Sequence, residues 1–369
     1  MRVRALSVHA GYACAQSGAC CRAGWTIPVD RVTRRRIDAH LAAGDLDAPA
    51  VAPCFATYEA GDRASIAFAH DDAGACAFLA RDGSEACTIH GALGHEALPM
   101  TCRQFPRVAV VGDGWTDVSL SHFCPTAAAH LVDATTPLTI IDDPACARGR
   151  ALDGLDVRGH FPPLLRPGAL HSLESWRRLE EAAVHLFDCP GPPGQHLVVL
   201  AGWLRAVEAW TPAHGALEPF VARAVTTPSV MDGRAAAAGD PGTRAVEDWT
   251  LAWTSVPRAR ATRPACPPAH DVARAAAALD ADARPVNRYL ATKLVASWVP
   301  WLATRSTTTA RAVEVAHHVV LVEAARAAGT PGRAALVHAV RQADLLLVHL
   351  SEPAVLVGLL EGRGEAGRP

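Results

Sequence analysis

At 369 residues the chain has room for two domains, each with its own core. Its 50% hydrophobic content is swollen by alanine, and a mean hydropathy of +0.11 with 20% charged residues describes a soluble globular protein. No apolar run reaches the roughly 18 residues a membrane helix needs, and 35 basic against 37 acidic side chains leave no overall field for nucleic acid or anionic lipid, so neither membrane nor nucleic acid is expected as a partner.

Residues 1–10 carry two early arginines but no continuous apolar stretch of a secretory signal, which points to the reducing cytoplasm. Residues 12–25 read as a loop with three cysteines, and 26–29 as a short extended piece. Asp30 is suited to cap a helix running to about residue 41, with Val32, Ile37 and Leu41 inward and Arg34, Arg35 and Arg36 in water. Residues 44–53 are a breaker-rich connection. From residue 65 the pattern changes to short extended pieces, with turns at 71–74 and 82–83, and then a short helix or turn over 91–100. Stretches 105–111 and 115–120 flank Gly112-Asp113-Gly114, a hairpin signal because glycine supplies the positive φ of such turns.

Cys124-Pro125 opens a short helix, proline being suited to the first helical position, and 138–141 is one more strand. Residues 142–168 are dense in turn formers. Beyond them the periodicity is helical over 173–187, 196–210, 217–224, 272–279, 286–303, 309–327, 334–350 and 353–360, with linkers at 189–194 and 228–242. The expected fold is α+β: a cysteine-rich metal-binding region of short strands and loops over 1–141, a linker over 142–168, and a mostly α-helical domain over 169–369.

Eight of the 11 cysteines fall within the first 124 residues. In a reducing compartment, clustered thiols point to metal ligation or redox chemistry before disulfides. Thiolate sulfur suits zinc, copper(I) and iron–sulfur clusters, and four thiolates satisfy a tetrahedral zinc or a cubane cluster. The candidates are Cys14, Cys20, Cys21, Cys76, Cys87, Cys102 and Cys124, more than one zinc requires. Adjacent Cys20 and Cys21 are not expected to aim both sulfurs readily at one ion. Cys54, Cys146, Cys189 and Cys266 read as packed thiols. His90, His95 and His122 lie near cluster cysteines in sequence, where a surface or hydrogen-bonded role outweighs ligation. Glu314-x-x-His317, followed by His318, has the spacing of di-iron helices, but a polar helix face explains one copy. P-loop, dinucleotide-binding and zinc-protease motifs are absent, as is the C-x3-C-x2-C triad of radical enzymes.

Several motifs together resemble a known family. Cys14-x5-Cys20-Cys21 followed by Gly24-Trp25-Thr26-Ile27-Pro28-Val29-Asp30, then Cys76-Ala77-Phe78-Leu79, Cys87-Thr88-Ile89-His90, Thr101-Cys102-Arg103-Gln104-Phe105-Pro106-Arg107 and Ser119-Leu120-Ser121-His122-Phe123-Cys124-Pro125, are similar to the flagellin lysine N-methylases. They lie within a broader group of zinc- or iron-chelating cysteine-cluster proteins. The likeness covers 12–125 and continues thinly at Val286-Asn287-Arg288-Tyr289-Leu290. It departs from the pattern in lacking a further cysteine between Cys14 and Cys20. The resemblance implies an iron–sulfur cluster or other metal centre and methyl transfer from S-adenosylmethionine to lysine ε-amino groups of a protein substrate, flagellin in that family. Asn287 and Tyr289 stand as candidate catalytic residues, beside Lys293, the single lysine, and Arg103 as a candidate contact to the cofactor. The alternative is a non-catalytic module whose thiolates hold zinc or iron; a thiol oxidoreductase using Cys20-Cys21 ranks lowest, because C-x-x-C is missing.

Overall fold

The computed structural model describes residues 2–60, 63–142, 144–145, 147, 152–226, 240–257, 261–327 and 332–363. Cys146, parts of the expected 142–168 linker and most of the 228–242 linker lie outside them. The chain is mixed α+β and forms two compact units. One, the cysteine unit, is Ala13–Arg107 with Cys124–Thr126. The other, the helical unit, takes Met1–Tyr12, Val108–Phe123 and the chain from Ala127 onward.

The cysteine unit opens with the loop that carries Cys14, Cys20 and Cys21. Helix α1 (Arg31–Ala43) follows where expected, with Asp30 accepting from the Val32 and Thr33 amides at its N-cap and Gly44 closing it in the left-handed region, but Val32, expected to face inward, is 61% exposed and only Ile37 is buried. The hairpin β2 (Phe55–Ala60) and β3 (Arg63–Phe68) comes next, and Ile27 and Val29 join its edge through Phe68 N to Ile27 O (3.1 Å) and Val29 N to Ile66 O (2.9 Å). Helices α2 (Thr88–Leu93) and α3 (Met100–Gln104) are short. Twelve buried residues form the core, among them Ile37, Phe68, Phe78, Ile89 and Cys76.

The helical unit contains a five-stranded mixed sheet. Its strands are β1 (Arg2–Leu6), β4 (Arg107–Gly112), β5 (Trp115–Leu120), β6 (Ile140–Asp142) and β7 (Leu155–Asp156), in the order β6-β1-β5-β4-β7, and β1 runs parallel to β5. The sheet moves the expected boundary. The first strand and the hairpin had been assigned to the N-terminal domain, and β7 lies inside the expected linker, yet they are one sheet whose β5 is buried almost throughout. Parallel pairing of β1 with β5 joins chain ends more than a hundred residues apart, which local sequence patterns do not report.

Register sets Arg4 opposite Asp117. Two further strands, β8 (Leu164–Arg166) and β9 (Ala169–Leu170), form a small separate ribbon.

Short helix α4 (Pro125–Asp133) begins in the cysteine unit and continues into the helical one. The helices of the latter are α5 (Leu173–Asp188), α6 (Pro193–Glu208), α7 (Leu217–Thr226), α8 (Pro241–Thr254), α9 (Ala269–Asp280), α10 (Arg284–Ala291), α11 (Val299–Leu302), α12 (Thr307–Arg326), α13 (Gly332–Asp344) and α14 (Pro353–Leu360), with a π-helical turn at Leu345–Leu350. Helix α12 is buried on nearly every face and touches α6, α8, α9 and α13, the behaviour of a central helix.

Two expectations change here. Helix α8 was missed, although Asp240 caps the Thr243 amide and Pro241 sits at its first position. The single helix expected over 286–303 is broken into α10 and α11, because Ala296 takes a left-handed φ of 56° and Pro300 enters at the start of α11.

Beside the sheet, buried Glu180 accepts from Arg4 Nη2 (2.5 Å) and Arg177 Nη1 (3.1 Å), while Arg177 also pairs with Asp117. Burial, then the charge of Asp117, pushes the Glu180 carboxyl up to about 7 against the pull of the two arginines. No single helix among the described residues is long and apolar enough to cross a membrane.

Candidate metal centre

Five cysteines from four stretches of the cysteine unit, Cys20, Cys21, Cys76, Cys87 and Cys102, lie within electrostatic reach of one another. The loop carrying the first two turns at Gly18, whose φ of 66° suits glycine and whose added Cβ would stand 2.8 Å from Glu85 O. That close approach ties the loop to the turn at 82–87, as does Arg22, which donates to both Glu85 carboxylate oxygens (2.6 and 2.5 Å). Cys76 N donates to Cys21 O (2.7 Å), and Leu79 bridges to Cys87, so three cysteine-bearing segments are stitched by backbone bonds. Cys87 is the N-cap of α2 and Cys102 lies in α3.

The thiols feel one another strongly. Cys21 acts as the shared donor: hydrogen bonds to Cys20 and Cys87, then burial, push its own thiol up. Cys20 is lowered to about 7, first by its bond from Cys21. Cys87 is also lowered to about 7, first by Cys21, with help from the His90 and Ile89 amides. Burial pushes the Cys76 thiol up to about 11, with the charges of Cys87 and Cys20 adding to it, and raises Cys102 the same way. Cys20 and Cys87 are thus the thiols most easily deprotonated, and Cys21, Cys76 and Cys102 the least.

This donor set fits a soft metal. Metal–sulfur bonds of about 2.3 Å set neighbouring sulfurs about 3.8 Å apart on a tetrahedron, and the Cys20 and Cys21 sulfurs lie 4.0 Å apart. The two adjacent cysteines thus bring their sulfurs close to one another. Among the described residues, however, no three His, Cys, Asp or Glu side chains already surround a single metal position.

The remaining expected residues take separate places. Cys14 is exposed, with its sulfur 3.4 Å from the Gln16 amide, and Cys124 is buried in the same unit. Cys54 is half-buried against the same apolar core, where it feels the charges of Asp38 and Arg34. Arg103 pairs with Glu96 (3.1 Å), while its buried Nε has no hydrogen-bond acceptor. His95 bonds Glu96 and the Arg103 carbonyl, and His90 stands edge-on to it.

His122 belongs to the helical unit, where its Nδ1 bonds Asp344 (3.1 Å) and its Nε2 meets His9 Nε2 (3.2 Å). Tyr289 OH donates to the same buried Asp344 (2.8 Å), as does Lys293. Burial lowers both histidines, so Asp344 takes the Nδ1–H of a neutral His122, and His9 must donate through Nε2. Asn287 does not join this network: its Nδ2 donates to Gly191 O (2.9 Å). The Glu314-x-x-His317 pair is also resolved, since Glu314 is held by Arg244 (2.8 Å) and Arg311 (2.7 Å) and His318 by Asp248 (2.5 Å).

No protein-family model, curated protein or solved structure matches this chain.

Proposed function

We propose that the chain is a cytoplasmic metal-cluster protein of the flagellin lysine N-methylase type, with Cys20, Cys21, Cys76, Cys87 and Cys102 as its ligand set and Cys14 and Cys124 as further donors. The group held is an iron–sulfur cluster or, as the alternative, zinc. The observation that carries this reading is the 4.0 Å contact of the Cys20 and Cys21 sulfurs, with Cys76, Cys87 and Cys102 close enough to shift one another's titration. A bound cation supplies the positive charge that lets such neighbours be deprotonated together. Arg103 is suited to steady a cluster sulfur, since its buried Nε has no acceptor of its own.

Methyl transfer from S-adenosylmethionine to a protein lysine, flagellin being the candidate substrate, rests on the motif likeness over 12–125. It requires a neutral amine, a bound sulfonium donor and water kept from the line of attack. Tyr289 and Asn287 would serve such a reaction as positioning groups, because each polar contact described above commits them to the protein. The 4.0 Å sulfur spacing favours the second reading, a non-catalytic zinc site.

Iron, zinc and acid-labile sulfide content, with a visible spectrum, on protein purified without oxygen decides between them. Iron with matching sulfide and brown absorbance supports the cluster and calls for S-adenosylmethionine binding and methyl incorporation assays. Colourless, zinc-only protein supports the non-catalytic site, and metal-free protein from cells supplied with both metals defeats both. Cys102→Ser is expected to lose most of the metal, and Cys54→Ser to retain it.

A further inference from the structure

Helix α10 holds a buried cation that forms no ion pair among the described residues. Arg288 is 2% exposed, and its one hydrogen bond runs from Nη2 to the Thr136 carbonyl (2.6 Å). Its Nε and Nη1 are buried with no acceptor. Guanidinium does not give up its proton in proteins, so the charge stays where it is. A buried charge with unmet donors is strongly disfavoured unless something completes it.

The surroundings point to what that is. Arg284, one helical turn earlier on the same face, is exposed and acts on Arg288 as a like charge. The nearest opposing group is Asp188 at the end of α5, close enough to be felt but forming no ion pair with Arg288 among the described residues. Two guanidiniums against one unpaired carboxylate leave the spot electropositive, with the exposed one leading to the buried one. Asn287, the neighbour in sequence, turns instead to the connection between α5 and α6, where it bonds His196 and donates to Gly191 O. The unmet donors are thus the Nε and Nη1 of Arg288 itself.

We propose that Arg288, approached past Arg284, binds a small oxyanion, a phosphate or a carboxylate. The inference concerns the helical unit and stands apart from the thiol centre.

Full-length protein is titrated with inorganic phosphate and, separately, with acetate, at ionic strength held constant with sodium chloride, and melting is followed by far-ultraviolet circular dichroism. A saturable rise in Tm that chloride does not produce is expected. A response to phosphate alone assigns a tetrahedral dianion, and one to acetate alone a carboxylate. Arg288→Met, similar in length but uncharged, is expected to weaken binding at least about tenfold, the loss of a charge-assisted hydrogen bond. Should that variant not fold, Arg284→Ala at the surface is expected to weaken it about twofold to fivefold. Asp188→Asn, which removes the competing carboxylate, is expected to tighten it. The proposal is overturned if the wild-type Tm does not respond to either anion, or if Arg288→Met keeps the response. It is also overturned if Asp188→Asn is destabilised with no gain in anion binding, because Asp188 would then be the standing partner of Arg288.

Discussion

The two units solve the problem of stability differently. The helical unit wraps long amphipathic helices around α12 and fills its centre with side chains such as Trp249, Tyr289, Leu204 and Val313. The cysteine unit has a core of twelve buried residues, short strands, helices of five and six residues beyond α1, and long stretches of loop. Small cores of that kind ordinarily depend on a staple. On the function proposed above, burial holds one unit and thiolate-bound metal the other.

The sharpest way to break that contrast is chelation. Removing metal from the purified protein is expected to open the cysteine unit, with new protease cleavage within 13–107, while most helical circular dichroism persists. Structural zinc sites contribute on the order of 10 kcal/mol, so protection of 13–107 after complete metal loss would end the idea of a staple.

The converse test is Trp249→Ala. Trp249 is fully buried, and its indole donates to Glu323 (2.8 Å). A loss of about 3–5 kcal/mol in urea unfolding is expected, with metal content unchanged.

Gly18→Ala probes the loop that carries Cys20 and Cys21. A Cβ there would stand 2.8 Å from Glu85 in a left-handed backbone, so a cost of about 1–3 kcal/mol and weaker metal retention are expected. Normal metal content and stability would show that the loop approaches Glu85 less closely.

The smallest effect concerns Glu180. Its folded carboxyl is raised to about 7, above an unfolded value of about 4.3, so the folded state binds the proton more tightly. Stability from this group is therefore present at low pH and declines as pH rises toward 7. Melting between pH 5 and 7 is expected to show that decline in the wild type and a flatter profile in Glu180→Gln.

Much of this was legible locally. Asp30 and Gly44 mark the ends of α1 because cap chemistry is short-range, and Gly112-Asp113-Gly114 separates β4 from β5 for the same reason. The missed α8 had its signal in Asp240-Pro241, hidden beside a Pro- and Gly-rich stretch. The expected helix over 286–303 ends at Ala291, and the left-handed φ of Ala296, which no side-chain pattern announces, separates it from α11.

Sequence by itself determined the crowding of cysteines before residue 125, the helical periodicity after residue 169 and the singular Lys293 and Asn287. Tertiary structure alone decided that Cys20 and Cys21 lie within electrostatic reach of Cys76, Cys87 and Cys102. It also decided that Lys293 and Tyr289 meet Asp344, that β1 joins β5, and that Arg288 is buried with two donors unpaired. The physical reason is range: caps, turns and periodicity act over a few residues. Thiol contacts, strand pairing and the desolvation of a charge depend on segments brought together from distant parts of the chain.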